Sequence, residues 1–178
     1  MSLDLPRAPF KVEFAILFMH NLVITICGGR TITSYVMNNC YSLNLKEGTD
    51  HEYLIWKSRS SMITSVLYSA GEKIKLQNQP KFWLVGGELT TASRIQLAGP
   101  TTETSLYDIE SDTWSEFIDL PLALAGHCVF AIRQNKIVIA GGYKDNGLPN
   151  MNGLTIDFNL GGPEKVRDAS TIMVFSTI

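Results

Sequence analysis

Histidine and cysteine are scarce in this 178-residue chain, three of each, and that scarcity limits its chemistry before any motif is sought. No Cys-x-x-Cys pair occurs, so neither zinc binding nor dithiol exchange has its usual local framework. Cys27, Cys40 and Cys128 are widely separated, and Cys27 and Cys128 sit inside apolar, strand-like runs; they read as small buried thiols in a reducing compartment. His20, His51 and His127 are too few for a His-rich metal cluster. His20 is expected in a hairpin turn and His127 at the start of a strand, both in structural roles. A dominant charge sign is also lacking. Fifteen Lys and Arg face seventeen Asp and Glu, for a net charge of -2, which leaves no electrostatic footprint for nucleic acid or an anionic membrane. No Asn-x-Ser/Thr acceptor is present.

Long apolar runs are missing as well. The longest candidate, FAILFMHNLVITIC from Phe14 to Cys27, is too short to span a bilayer and is split by His20-Asn21. Two strands meeting at a His-Asn turn account for it better, and the cytoplasm is the expected location. No segment sustains a helical apolar period, so the chain reads as all-β with short strands.

What the chain does have is a repeat. Three Gly-Gly doublets close short apolar runs: VITICGG ends at Gly29, KFWLVGG at Gly87 and KIVIAGG at Gly142. Spacings of this size belong to repeat architectures. Each doublet ends the second of two β-like runs. In the third copy these are HCVFAIR and KIVIAGG around Gln134-Asn135, and in the first EFAILFM and LVITICGG. In the second copy the first strand is expected over MITSVLYS, with AGEKIKLQNQP as a polar surface loop before KFWLVGG. Third and fourth strands follow at YVMNNCYSLNL and EYLIWKS, at ETSLYDIES and DTWSEFIDLP, and at LTIDFNL and STIMVFSTI. The units are expected at residues 10–58, 62–118 and 125–178, after a lead-in over 1–9.

Hydrophobic strand, Gly-Gly, Tyr107-Asp108, a short turn, Trp114 and then Leu120-Pro121 together resemble the kelch repeat. The resemblance implies β-propeller blades of four antiparallel strands, with Tyr107 and Trp114 as packing residues between strands and blades. Tyr41 and Trp56 would fill those roles in the first unit. In the third, Phe158 would replace the Tyr, and Lys165 stands where a Trp is expected, making that unit degenerate. With about three blades where a closed propeller typically takes four to eight, the ring is expected to be incomplete. Self-association, a second chain or further blades of a longer protein would close it.

On the same resemblance, residues just after each doublet reach the central cavity of propellers that bind peptides. Here they are Arg30, Glu88 and Tyr143, the candidate partner-binding residues. No catalytic residue, cofactor or metal is expected. The stretch from Gly142 to Gly147 lacks the Lys and Ser/Thr that a phosphate-binding loop needs. A Ser60, His127 and Asp119 set has no local signature behind it. The implied function is a non-catalytic protein-interaction module. The enzyme alternative is a galactose-oxidase-like copper oxidase on the same propeller, and the remaining one is a fragment of a longer kelch adaptor.

Overall fold

Tight two-residue turns set the register of the first two blades. His20 pairs with Val23 across Asn21-Leu22, and Leu76 pairs with Gln79 across Gln77-Asn78. All four turn residues have positive φ, between 48° and 64°, the backbone twist that suits a two-residue hairpin. The computed structural model describes residues 5–9, 11–31, 36–46, 54–90, 97–133, 136–150, 153–158 and 173–175. His51, Gln134-Asn135 and Lys165 lie outside them.

Three four-stranded antiparallel sheets follow one another along the chain. Blade 1 holds β2 (Ile16–His20), β3 (Val23–Cys27), β5 (Cys40–Asn44) and β6 (Trp56–Arg59). Blade 2 holds β8 (Ala70–Leu76), β9 (Gln79–Val85), β12 (Thr104–Asp108) and β13 (Thr113–Glu116). Blade 3 holds β14 (Ala125–Arg133), β15 (Lys136–Tyr143), β16 (Gly153–Asp157) and β17 (Met173–Phe175). In each blade, strands pair in sequence order, which is the meander of a propeller blade. The remaining short strands lie where the doublets end. β1 (Val12–Glu13) pairs with β4 (Arg30–Thr31), and β10 (Glu88–Thr90) lies between β7 (Val66–Leu67) and β11 (Leu97–Pro100).

Strand β9 shows how the blades pack. Phe82, Trp83, Leu84 and Val85 are all buried, although successive side chains point to opposite faces of a strand. Phe82 and Leu84 join Ile16, Phe18 and Cys27 in a core between blades 1 and 2. Trp83 and Val85 join Ile137, Ile139, Leu154 and Ile156 in a core between blades 2 and 3. A middle blade must be apolar on both faces, and this one is.

Several sequence expectations are corrected. The first strand of blade 2 is AGEKIKL, not MITSVLYS. Its inward residues Ile74 and Leu76 are buried while Lys73 and Lys75 beside them are exposed, so a half-polar strand was mistaken for a loop. Met62, Val66 and Leu67 are buried outside the four-stranded sheet, which is why their run looked like a strand of it. His20 ends β2, and the turn falls one residue later.

The Tyr107–Trp114 pair is a true cross-strand pair, with ring centroids 4.9 Å apart. Trp114 Nε1 donates to the Ser60 carbonyl, and Tyr107 OH donates to Asp112 Oδ1, which also accepts from the Ser60 amide. The two aromatics thereby tie blade 2 to blade 1. Counting back from the doublet, the equivalent pair in blade 1 is Leu43–Trp56, so Leu43 and not Tyr41 holds the tyrosine position. In blade 3 the position falls to Ile156, paired with Ile137. Phe158 lies two residues beyond and packs edge-on to Trp83 at 5.3 Å, so it serves the interface between blades 2 and 3.

The thiol reading is also corrected. Cys27 and Cys40 face each other on β3 and β5 and form a disulfide, and Cys128 is exposed. A directly opposed cross-strand pair brings two Cβ atoms close enough to bond, and no spacing motif announces it.

Candidate functional site

The second glycine of each doublet sits where no side chain fits. A Cβ on Gly87 would lie 2.7 Å from the Leu67 carbonyl oxygen, and one on Gly142 would lie 2.5 Å from that of Ala125. Gly29 meets the Glu13 carbonyl in the same way. The strand end is therefore pressed against the chain entering the blade's first strand. Next to that contact in each blade is one residue of left-handed conformation: Phe14, Tyr68 and Gly126, with φ of 58°, 54° and 66°. Aromatic residues rarely hold this conformation, and Phe14 and Tyr68 do so at matching positions of blades 1 and 2.

The three residues that follow the doublets converge on this region. Tyr143 OH donates to Glu88 Oε1 at 2.6 Å, joining blade 3 to the segment that follows strand β9 of blade 2. Glu88 is only 7% exposed, and its Oε2 has no hydrogen-bond partner among the described residues. Burial first, and then the bond to Glu88, push the Tyr143 phenol above its ordinary pKa, so it stays protonated and remains a donor. Gly126 makes room for the ring, because a Cβ there would stand 3.2 Å from Tyr143 Cε1. The Gly126 amide donates to the Tyr68 carbonyl at 2.7 Å, and the Gly87 amide to the Leu124 carbonyl at 2.8 Å, so backbone bonds lock the blades together at this end.

Arg30 joins through aromatic rings. Its Nη2 donates to Glu13 Oε2 at 2.8 Å, and its guanidinium stands 5.5 Å from the centroid of the Phe14 ring. The bond to Glu13 raises the Arg30 pKa, so its charge is fixed. Phe14 and Tyr68 pack with centroids 4.6 Å apart, and Tyr68 lies within electrostatic reach of both Arg30 and Tyr143. The structure thus brings Glu88 and Tyr143 together directly, and links Arg30 to them through Phe14 and Tyr68. Sequence reading missed Glu13, Phe14 and Tyr68, which precede the first strand of their blades. Their only signal was position, and in blade 2 that position was hidden by the misplaced strand.

His127 lies behind this surface, buried beneath the doublets: its ring is near Gly86 and its backbone near Gly142. Neither ring nitrogen has a hydrogen-bond partner among the described residues. Burial lowers its pKa to about 4, with the nearby Val85 backbone offsetting a part, so the ring is neutral at neutral pH. His127 makes no hydrogen bond to Ser60 or Asp119, and the Ser60 backbone is engaged by Asp112 and Trp114 instead. Between Gly142 and Gly147 the chain closes a turn, with the Gly147 amide donating to the Lys144 carbonyl. Among the described residues, no three His, Cys, Asp or Glu side chains are grouped to hold a metal ion. No helix in them is long and apolar enough to cross a membrane.

No family model and no curated protein matches this chain. Among solved structures, that of YjhT is similar over 86% of the chain, with a TM-score of 0.67 at 15% sequence identity. The chain spans half of the YjhT chain's length. At that identity the likeness carries the fold alone: an all-β, propeller-like array of four-stranded blades that makes up part of a ring.

Proposed function

We propose that this chain is a kelch-type propeller segment that acts as a non-catalytic protein-interaction module, binding a partner through the loop end where the doublets converge. The observation that carries the reading is the 2.6 Å bond between Glu88 and Tyr143, two residues in the same repeat position of consecutive units. A repeat position that builds a shared polar contact across blades makes a continuous surface on a rigid scaffold, which is where β-scaffold proteins place recognition. Arg30, with its charge exposed at one side, and the Phe14 and Tyr68 rings extend that surface with the residue types favoured at interfaces.

The rival reading is an enzyme on the same propeller, such as a copper oxidase. The Cys27–Cys40 bond supports an oxidising compartment in place of the cytoplasm expected from the sequence.

Selection of a random peptide library on the immobilised chain tests the proposal. Peptides should be recovered whose binding falls at least about tenfold with Arg30→Ala or Tyr143→Ala, the size expected of an interface anchor. They should be indifferent to Lys57→Ala, on strand β6. Peptides that bind all variants alike would contradict it.

A further inference from the structure

The two end blades carry apolar faces that the middle blade shows how to cover. Phe18 on β2 is 8% exposed because it stacks on Phe82 of blade 2, with centroids 4.1 Å apart. Counting from the doublets, the residue at the position of Phe18 in blade 3 is Phe130: Phe18 pairs with Thr25, two before Cys27, and Phe130 with Val138, two before Ala140. Phe130 is 43% exposed. Its neighbours on the same face are Cys128, Val138 and Ala140, while the opposite face, with Ile137 and Ile139, is buried against blade 2.

At the other end, Ile24 and Ile26 stand where Phe82 and Leu84 stand in blade 2. Opposite them on β2, Leu17 and Met19 are 63% and 54% exposed, alternating with buried Ile16 and Phe18. An antiparallel sheet with one face in water carries polar residues on that face. Both end blades carry apolar ones, the pattern of blades with a neighbour on each side.

We propose that a second copy of this chain covers both faces, closing a two-fold ring of six blades. Phe130 of one copy packs on Ile24 of the other as Phe18 packs on Phe82 within the chain, and the symmetry repeats the contact on the opposite side. Two features favour a second copy as the occupant. The exposed face of blade 3 is, position for position, the kind of face that blade 2 receives from blade 1, so the chain already contains both halves of the contact. The chain also matches half of the YjhT chain, so twice this array fills a fold of that size. Six blades lie within the four to eight of closed propellers, and a closed two-fold assembly leaves no sheet face open for further growth.

The test is light scattering on the full chain eluting from a sizing column, at roughly 1 to 100 μM so that mass action is visible. The expected mass is twice 19.7 kDa. The variants Leu17→Lys with Met19→Lys, and Phe130→Lys with Ile132→Lys, should each elute as monomers at concentrations where the parent is a dimer. All four positions are solvent-exposed within one chain, and an unchanged circular dichroism spectrum confirms the fold. Cys128 gives a second readout, because it lies on the covered face: its reaction with a thiol reagent should slow as protein concentration rises through the dimer range. A monomer throughout this range overturns the proposal. So does a dimer that neither variant disturbs, and so does open-ended growth beyond the dimer.

Discussion

Tyr143 and Glu88 occupy the same repeat position, fifty-five residues apart, and meet in a 2.6 Å hydrogen bond between phenol and buried carboxylate. A backbone periodicity is thereby converted into one side-chain contact that crosses from blade to blade. Removing the donor leaves a buried carboxylate with no partner on either oxygen among the described residues. Tyr143→Phe should therefore cost about 1–3 kcal/mol, read as a lower urea midpoint with an unchanged slope. In the background of Glu88→Gln the same substitution should cost less, and a double-mutant cycle gives the coupling.

The third doublet predicts an asymmetry between its two glycines. Gly141 and Gly142 both have positive φ, but a Cβ at Gly141 meets nothing within 4 Å whereas one at Gly142 strikes the Ala125 carbonyl. Gly141→Ala should cost only the conformational penalty, about 1–2 kcal/mol. Gly142→Ala adds a backbone clash and should exceed about 3 kcal/mol. Thermal or urea unfolding of the pair checks the order.

The neutral, buried His127 makes stability fall in acid. Its folded pKa of about 4 lies below the ordinary 6.5, so the unfolded chain binds the proton more readily. At pH above 6.5 neither state is charged and the residue contributes no pH dependence. As pH falls from 6.5 to 4 the unfolded state gains, by roughly 3 kcal/mol in all. His127→Phe should flatten that part of a stability profile measured by urea unfolding between pH 7 and pH 4.

The disulfide fixes a thiol count. In denaturant without reductant, one cysteine per chain, Cys128, should react with a thiol reagent, and three should react after reduction. The bond closes a short loop, with its cysteines 13 positions apart, and replacing both by Ala should cost about 3 kcal/mol in the loop-entropy model.

The blade plan was legible because it is written in backbone needs. Each doublet marks a strand end pressed on the chain that enters its blade's first strand, and Gly is what that contact permits, so glycine spacing located all three sheets. Strand β8 was not legible: only Ile74 and Leu76 carry its burial, and the exposed Lys73 and Lys75 beside them read as loop. The exchange of Tyr41 for Leu43 has a related cause, because the position is fixed by counting from Cys27 across the ladder and not by residue type. At the candidate site, Arg30, Glu88 and Tyr143 could be named from their place after the doublets. Their union through Phe14 and Tyr68 could not, since it depends on how neighbouring blades sit against each other and on a left-handed backbone that neither aromatic residue signals.

Hydrogen–deuterium exchange of the chain with and without a selected peptide tests the central claim most directly. The account predicts slowed exchange on binding in residues 66–70, 86–90 and 141–144, where the post-doublet residues gather. Protection confined to the far hairpin turns, at residues 20–23 and 76–79, with no change after the doublets, would contradict it.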